Sequence, residues 1–437
     1  MKKVLLLLAG LCAIAGLATA GGAKEGAAPA GAKTKLTMVS WFPRPTQAGD
    51  YDQIGEFLKA NPDIELDYQV LEGSRYEELV RTKITAGDIP DVMALMTPQV
   101  KDFGRLGILA DVSKTPGGLM QAKVPSLNAA LAANGKTVAV NGSAGVVQHT
   151  IFYNKVIFRK HGISEPKTRA EFDAACAKLK GAGEEVIIYG GADTWPYKYA
   201  QFPLGFTSQV KVALEKAGTT DLMEALYKGA KPSEIYGDTM RYFKMLVDKG
   251  YVSKTGLTMT WPESFTYFTD GKCAFLPQGP WIVGMAAAQK DPVIDPNVFE
   301  LGVMFFPEEQ LNGKRYFQGY MEYSFALAAK AEKNPAVIRL FDFLTSEANL
   351  KAELSFSGRP TLFPIQLDIK DPVQKKMIGD LSGPGVEMVI FSFPEAKGWG
   401  ETQMPSAFKA VHAGETAEKA LAALDAFYAD HKADIKQ

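Results

Sequence analysis

The sequence predicts an α/β protein of at least two lobes, and three observations carry that expectation. Between residues 36 and 96, strand and helix periodicities alternate in the order βαβαβ, the pattern of an open sheet with helices packed on it. A second alternation begins near residue 145. The 437 residues exceed what a single hydrophobic core usually organises.

The first segment is an address. Lys2 and Lys3 precede an apolar run from Val4 to Leu17, and Ala18-Thr19-Ala20 follows as a small-x-small peptidase site. A spanning helix needs roughly 20 apolar residues, which this run does not reach. It therefore reads as an export signal cleaved after Ala20, which implies a periplasmic or otherwise extracytoplasmic protein. A lipid anchor on Cys12 would need Leu at the third position before it and a small residue directly before it. Ala9 and Leu11 stand there, so lipidation is not expected. Residues 21–35, GGAKEGAAPAGAKTK, offer nothing larger than Ala to bury and read as a flexible leader.

The strands and helices follow from periodicity. Residues 36–40 are a short apolar strand, and Tyr51, Ile54, Phe57 and Leu58 give a helix over 50–60 that Asn61-Pro62 stops. Ile64, Leu66, Tyr68 and Val70 alternate with polar residues, as in a strand with one wet face. Tyr76, Leu79, Val80 and Ile84 mark a second helix closed by Gly87, and 91–96 is a third strand. In the second section, 145–154 reads as extended. Thr168 and Glu171 form a capping box for a helix carrying Phe172, Ala175, Cys176 and Leu179 on one stripe. Asn334-Pro335 caps a helix through Val337, Ile338, Phe341 and Leu344. Thr416 opens a last helix with Leu421, Leu424 and Tyr428.

Composition removes several functions. With 48 Lys plus Arg against 49 Asp plus Glu, there is no basic field to displace counterions from a nucleic acid, so none is expected as a partner. Three cysteines make no disulfide scaffold, and no Cys or His pair stands at metal spacing, so neither metal nor cofactor is expected. Cys176 on an apolar stripe reads as a buried thiol. A bond to Cys273 is permitted by export and is left open. No dinucleotide, Walker, His-Glu-x-x-His or Gly-x-Ser-x-Gly pattern occurs, and no catalytic residue is assigned.

Aromatic loops are the chemical signal. Trp41, Trp195, Trp261, Trp281 and Trp399 each have Pro or Gly within two positions, which places them on turns. Indole faces on turns suit the C–H face of a sugar ring, with polar groups at the rim for its hydroxyls. Core or loop anchoring is the competing use of any one of them.

Five stretches then resemble a known family. YEELVRTKITAGDIPD (76–91) followed by Gly107-Ile108-Leu109-Ala110-Asp111 is the first, and Tyr153-Asn154-Lys155 with His161-Gly162-Ile163 and Pro166-Lys167-Thr168 is the second. FTDGKCAFLPQGPW (268–281), GVMFFP (302–307), and Gly414-Glu415-Thr416 with Glu418-Lys419-Ala420 complete the series. In this order they resemble the family 1 extracellular solute-binding proteins, the sugar receptors of bacterial ABC importers. The resemblance runs from about residue 35 to the C-terminus.

The resemblance implies a two-lobed periplasmic-binding-protein-like fold with a hinge between the lobes and the ligand cleft at their interface. It implies one lobe from 36–145 with 299–348, and the other from 146–298 with 349–437. A carbohydrate would be captured and passed to membrane permease subunits by a monomer without catalysis. The implied ligand contacts are Trp41 and Phe42 after the first strand, Tyr153, Gly279 and Trp281, Tyr320 and Glu322 at the return crossover, and Arg359. Trp195, Trp261 and Trp399 are added by the loop-aromatic argument. Arg44 and Arg359 facing the ligand together would suit an acidic sugar, since guanidinium binds carboxylate bidentately. An exported carbohydrate-active enzyme, or a receptor for a peptide or glycerol phosphodiester, is the alternative.

Overall fold

The computed structural model describes residues 33–45, 51–142, 146–147, 150–201, 206–219, 222–289, 293–307, 313–321, 323–357, 359–381, 383–390 and 403–432. The export signal, most of the leader, Glu322 and Trp399 lie outside the described residues.

The first lobe is built on a five-stranded sheet in the order Ile64–Val70, Thr34–Ser40, Val92–Leu95, Ser324–Leu327, Val140–Asn141. The first three strands are parallel and come from the predicted βαβαβ unit. Val92–Leu95 is buried throughout because it sits at the centre, whereas Ile64–Val70 alternates because it forms an edge. The intervening helix runs Gln53–Ala60, three residues later than the sequence suggests, because the Asp52 carboxylate accepts from the Gly55 N–H and caps it. Tyr76–Thr85 ends at Gly87, whose φ of +80° reverses the chain. Helix Pro335–Leu344, capped by Asn334, closes the other face with Val337, Leu340, Phe341 and Leu344 buried.

The second lobe holds a four-stranded sheet in the order Leu301–Phe305, Thr150–Asn154, Cys273–Pro277, Glu185–Ile187. Beside it lies a three-stranded sheet of Val386–Ile390, Arg315–Tyr320 and Val146–Val147. The capping box at Thr168 forms as expected, and its helix Arg169–Gly181 buries Phe172, Ala175, Cys176 and Leu179. Helix Pro232–Asp248 packs along Ala417–His431, the expected terminal helix. Cys176 and Cys273 are both free and buried, each in a different core cluster.

Strand pairing draws the lobe boundary elsewhere than the resemblance implies. Leu301–Phe305 pairs with Thr150–Asn154, and Arg315–Tyr320 pairs with Val146–Val147, so both strands belong to the second lobe. The chain returns to the first lobe only at 321–327, where Ser324–Leu327 pairs with Val92–Leu95. It stays there past 348, because Leu350, Leu354, Phe363 and Ile365 complete the first core. Val373 and Met377 then pack with Phe152 and Phe268 in the second lobe. Within the stretch that reads as extended, Val146–Val147 and Thr150–Asn154 are strands that enter different sheets.

The lobes touch at more than one place; at one of them, helix Trp281–Ala288 of the second meets helix Glu347–Ser357 of the first. A Cβ on Gly284 would stand 2.8 Å from the Ser357 carbonyl oxygen, so this contact runs nearly backbone to backbone.

Candidate functional site

Each lobe carries a group of aromatic side chains. In the first lobe, Trp41 and Phe42 follow directly on strand Thr34–Ser40, at the carboxyl edge where open parallel sheets bind ligands. Phe42 is fixed at both backbone polar groups: its N–H donates to Ser40 Oγ at 3.1 Å, and its carbonyl accepts from the Tyr68 hydroxyl at 2.7 Å. The Trp41 ring lies 4.8 Å from Tyr76 and 6.0 Å from Tyr323, both edge to face, and Phe42 lies 4.8 Å from Tyr323. Tyr323 belongs to the return crossover but is not among the residues the motif selects. At 3% exposed it is a core residue that backs the two rings, and its position just ahead of a buried strand is its signal in the sequence.

Arg44 and Arg359, the two arginines expected to face the ligand, are each paired with a neighbouring carboxylate. Arg44 Nε donates to Asp52 at 3.1 Å. Burial pushes the Asp52 carboxyl up, but bonds from Arg44 and the Gly55 N–H outweigh it, and its pKa falls below the ordinary value. Arg359 Nη1 lies 3.2 Å from Glu353, with the two side chains only 9% and 14% exposed, and its guanidinium stands 5.8 Å from the centre of the Phe42 ring.

In the second lobe the structure gathers three of the five tryptophans. Trp195 lies 5.8 Å from Trp261 and 6.1 Å from Trp281, and Tyr199 lies 6.0 Å from Trp281. All three indoles are only partly buried. Each comes from a different turn. Trp195 opens a 3-10 turn, Trp261 starts a helix capped by Thr260, and Trp281 starts the helix that reaches the first lobe. Thr194, just before Trp195, has φ +64° and ψ −51°, a conformation that costs a β-branched residue of order 1–3 kcal/mol. Asp193 bridges two of the turns, its Oδ2 accepting from the Trp261 N–H at 2.6 Å. Gly190 backs the same corner, for a Cβ there would stand 2.4 Å from the Trp261 Cα.

The remaining expected positions fall out differently. Gly279 does permit close approach, but by the Trp281 indole, whose ring carbon would lie 2.1 Å from a Cβ there. Tyr153 is a core residue: it is 7% exposed, 4.5 Å from Phe158, covers Gly302, and its hydroxyl donates to Glu165 at 3.3 Å. Burial and the Glu165 charge push its pKa up. It sits on the buried face of a central strand, so it is corrected from ligand contact to packing. The Tyr320 backbone pairs with Val146. His412 is buried with its Nδ1 2.6 Å from the Tyr197 hydroxyl, and burial lowers its pKa to about 4. No group of three or more His, Cys, Asp or Glu among the described residues is placed to hold a metal. A cavity of about 480 Å³ opens away from these groups, lined by Ser208, Val212, Ala225 and Ile235, and contains none of the expected site residues.

Two α/β lobes, joined by repeated chain crossings and each carrying a group of aromatic side chains, define a two-lobed binding-protein fold. Residues 38–351 match the bacterial extracellular solute-binding proteins, and the chain belongs to that family. It is 22% identical over 330 residues to the multiple sugar-binding protein of Streptococcus mutans, with 74% of each chain covered. A family 1 extracellular solute-binding protein from Bifidobacterium longum subsp. infantis shares the fold at TM-score 0.64 and 21% identity, covering 92% of this chain and all of that one. RafE from Streptococcus pneumoniae, in its apo form, does so at TM-score 0.67 and 16% identity, covering 92% of this chain and 98% of its own.

Proposed function

We propose that this protein, exported from the cytoplasm, captures a sugar or oligosaccharide between its lobes by hinge closure. It then hands the solute to the permease of an ABC importer, acting as a monomer and without converting it. The observation that carries this reading is the pair of aromatic groups on opposite lobes, Trp41 with Phe42 and Trp195 with Trp261 and Trp281. Trp281 opens one of the two helices that meet between the lobes, and Arg359, whose guanidinium stands 5.8 Å from the Phe42 ring, follows the other. Each group offers half a site, so a solute that stacks on both favours the closed arrangement by its differential affinity for it. The Streptococcus mutans relative, a multiple sugar-binding protein, supports a saccharide as the solute.

The carboxylates beside these groups support binding over hydrolysis. Asp52 and Glu353 are engaged by arginines and Asp193 by a backbone N–H, whereas glycoside cleavage needs one carboxyl held protonated opposite a second. Purified protein is incubated with mono- and oligosaccharides while melting temperature and product release are followed together. Ligand at a hundred times its Kd stabilises by about 2.7 kcal/mol. A raised melting temperature without turnover is expected, and turnover would overturn the reading.

A further inference from the structure

We propose that Asp193 is the polar group that reads the solute in the second lobe, accepting hydrogen bonds from hydroxyls of a neutral ring and discriminating against anionic ones. This rests on the binding function proposed above. Asp193 stands in the turn that leads into Trp195 and is tied to the first residue of the Trp261 helix. The carboxylate is thus tied to the backbone of Trp261 and stands two residues before Trp195, and those two indoles contact each other. Only Oδ2 is used internally, and among the described residues Oδ1 takes no hydrogen bond. Asp193 is only partly buried. A ring stacked by its C–H face projects its equatorial hydroxyls at the rim, where an ionised acceptor forms the stronger class of hydrogen bond.

Charge sharpens the class of solute. Arg44 and Arg359, the two cations that would welcome a carboxylate in the first lobe, are already paired with Asp52 and Glu353. A uronate would therefore bring its negative charge to arginines that are engaged and to a carboxylate that repels it. The strain at Thr194 fits this role. A β-branched residue at φ +64° is retained where the fold fixes the turn, and here that turn joins Asp193 to Trp195.

The test uses Asp193→Asn, which keeps an oxygen for the Trp261 N–H while removing the charge, and Asp193→Ser as a second variant in case the first fails to fold. Titration calorimetry compares the best-binding neutral saccharide with its matched uronate on wild type and variant. Wild type should prefer the neutral form, and Asp193→Asn should bind it about tenfold more weakly or worse. The preference over the uronate should narrow with melting temperature nearly unchanged, a shift that a purely structural residue would not produce. Equal neutral-sugar affinity in the variant, or a wild type that prefers the uronate, overturns the proposal while leaving the receptor function standing. A wild type stabilised by no saccharide removes the sugar-binding function, and this proposal with it.

Discussion

The Trp281 indole occupies the space into which a side chain on Gly279 would project, its Cζ3 lying 2.1 Å from a Cβ built there. The obstructing atoms are the far end of a side chain, so the fold has a way out: the ring can swing aside. Gly279→Ala should therefore leave stability within about 1 kcal/mol, since the substitution displaces a ring and not backbone. It should nevertheless weaken saccharide binding by moving the indole. Paired thermal melts and calorimetric titrations check this; an unchanged Kd would show that the ring orientation is immaterial.

Gly284 meets the opposite situation. Its Cβ would face the Ser357 carbonyl at 2.8 Å, backbone against helix, with no rotamer to relieve it. Gly284→Ala should destabilise by about 1–3 kcal/mol, the range for overpacking a close contact. Because the contact joins the lobes, solution scattering should also register a changed radius of gyration. A melting temperature and scattering profile equal to wild type would mean the helices separate at no cost.

Removing the ring itself is the direct test of the second-lobe wall. Trp281→Ala should weaken ligand binding by about 1–3 kcal/mol, the loss expected of a buried aromatic anchor. Tyr153→Phe, by contrast, should leave affinity unchanged, since the Tyr153 hydroxyl serves Glu165 within the second lobe. Calorimetry on both variants separates them, and equal losses would return Tyr153 to the site.

These contrasts show what was legible in the sequence. The βαβαβ order, the capping box at Thr168 and the N-cap at Thr416 rest on local periodicity and local hydrogen bonds, which a sequence displays directly. Turn-borne tryptophans were likewise visible, and three of them converge. Tyr153 misled because its Tyr-Asn pair lies in a strand buried on both faces, where all of Thr150–Asn154 is apolar or enclosed and no alternation marks an inner side. The lobe boundary failed for a related reason: an apolar run such as Leu301–Phe305 fits either sheet, and only long-range pairing decides. Asp193 and Tyr323 have no spacing pattern at all, and proximity to Trp195 and to a crossover is their only trace.

The buried His412 makes stability depend on acid. Burial lowers its pKa to about 4, while in the unfolded chain it titrates near 6.5. Between those values the unfolded state binds more protons than the folded one, so stability falls as pH drops from about 6.5 towards 4 and is fully present above that window. The whole shift corresponds to about 3 kcal/mol. His412→Gln removes the proton uptake while retaining a polar partner for the Tyr197 hydroxyl, 2.6 Å from Nδ1 in the wild type. Chemical denaturation at pH 7.5, 5.5 and 4.5 should show a decline in wild type that is flatter in the variant by up to that amount. Parallel declines in the two proteins would assign the acid sensitivity to carboxylates and clear His412 of it.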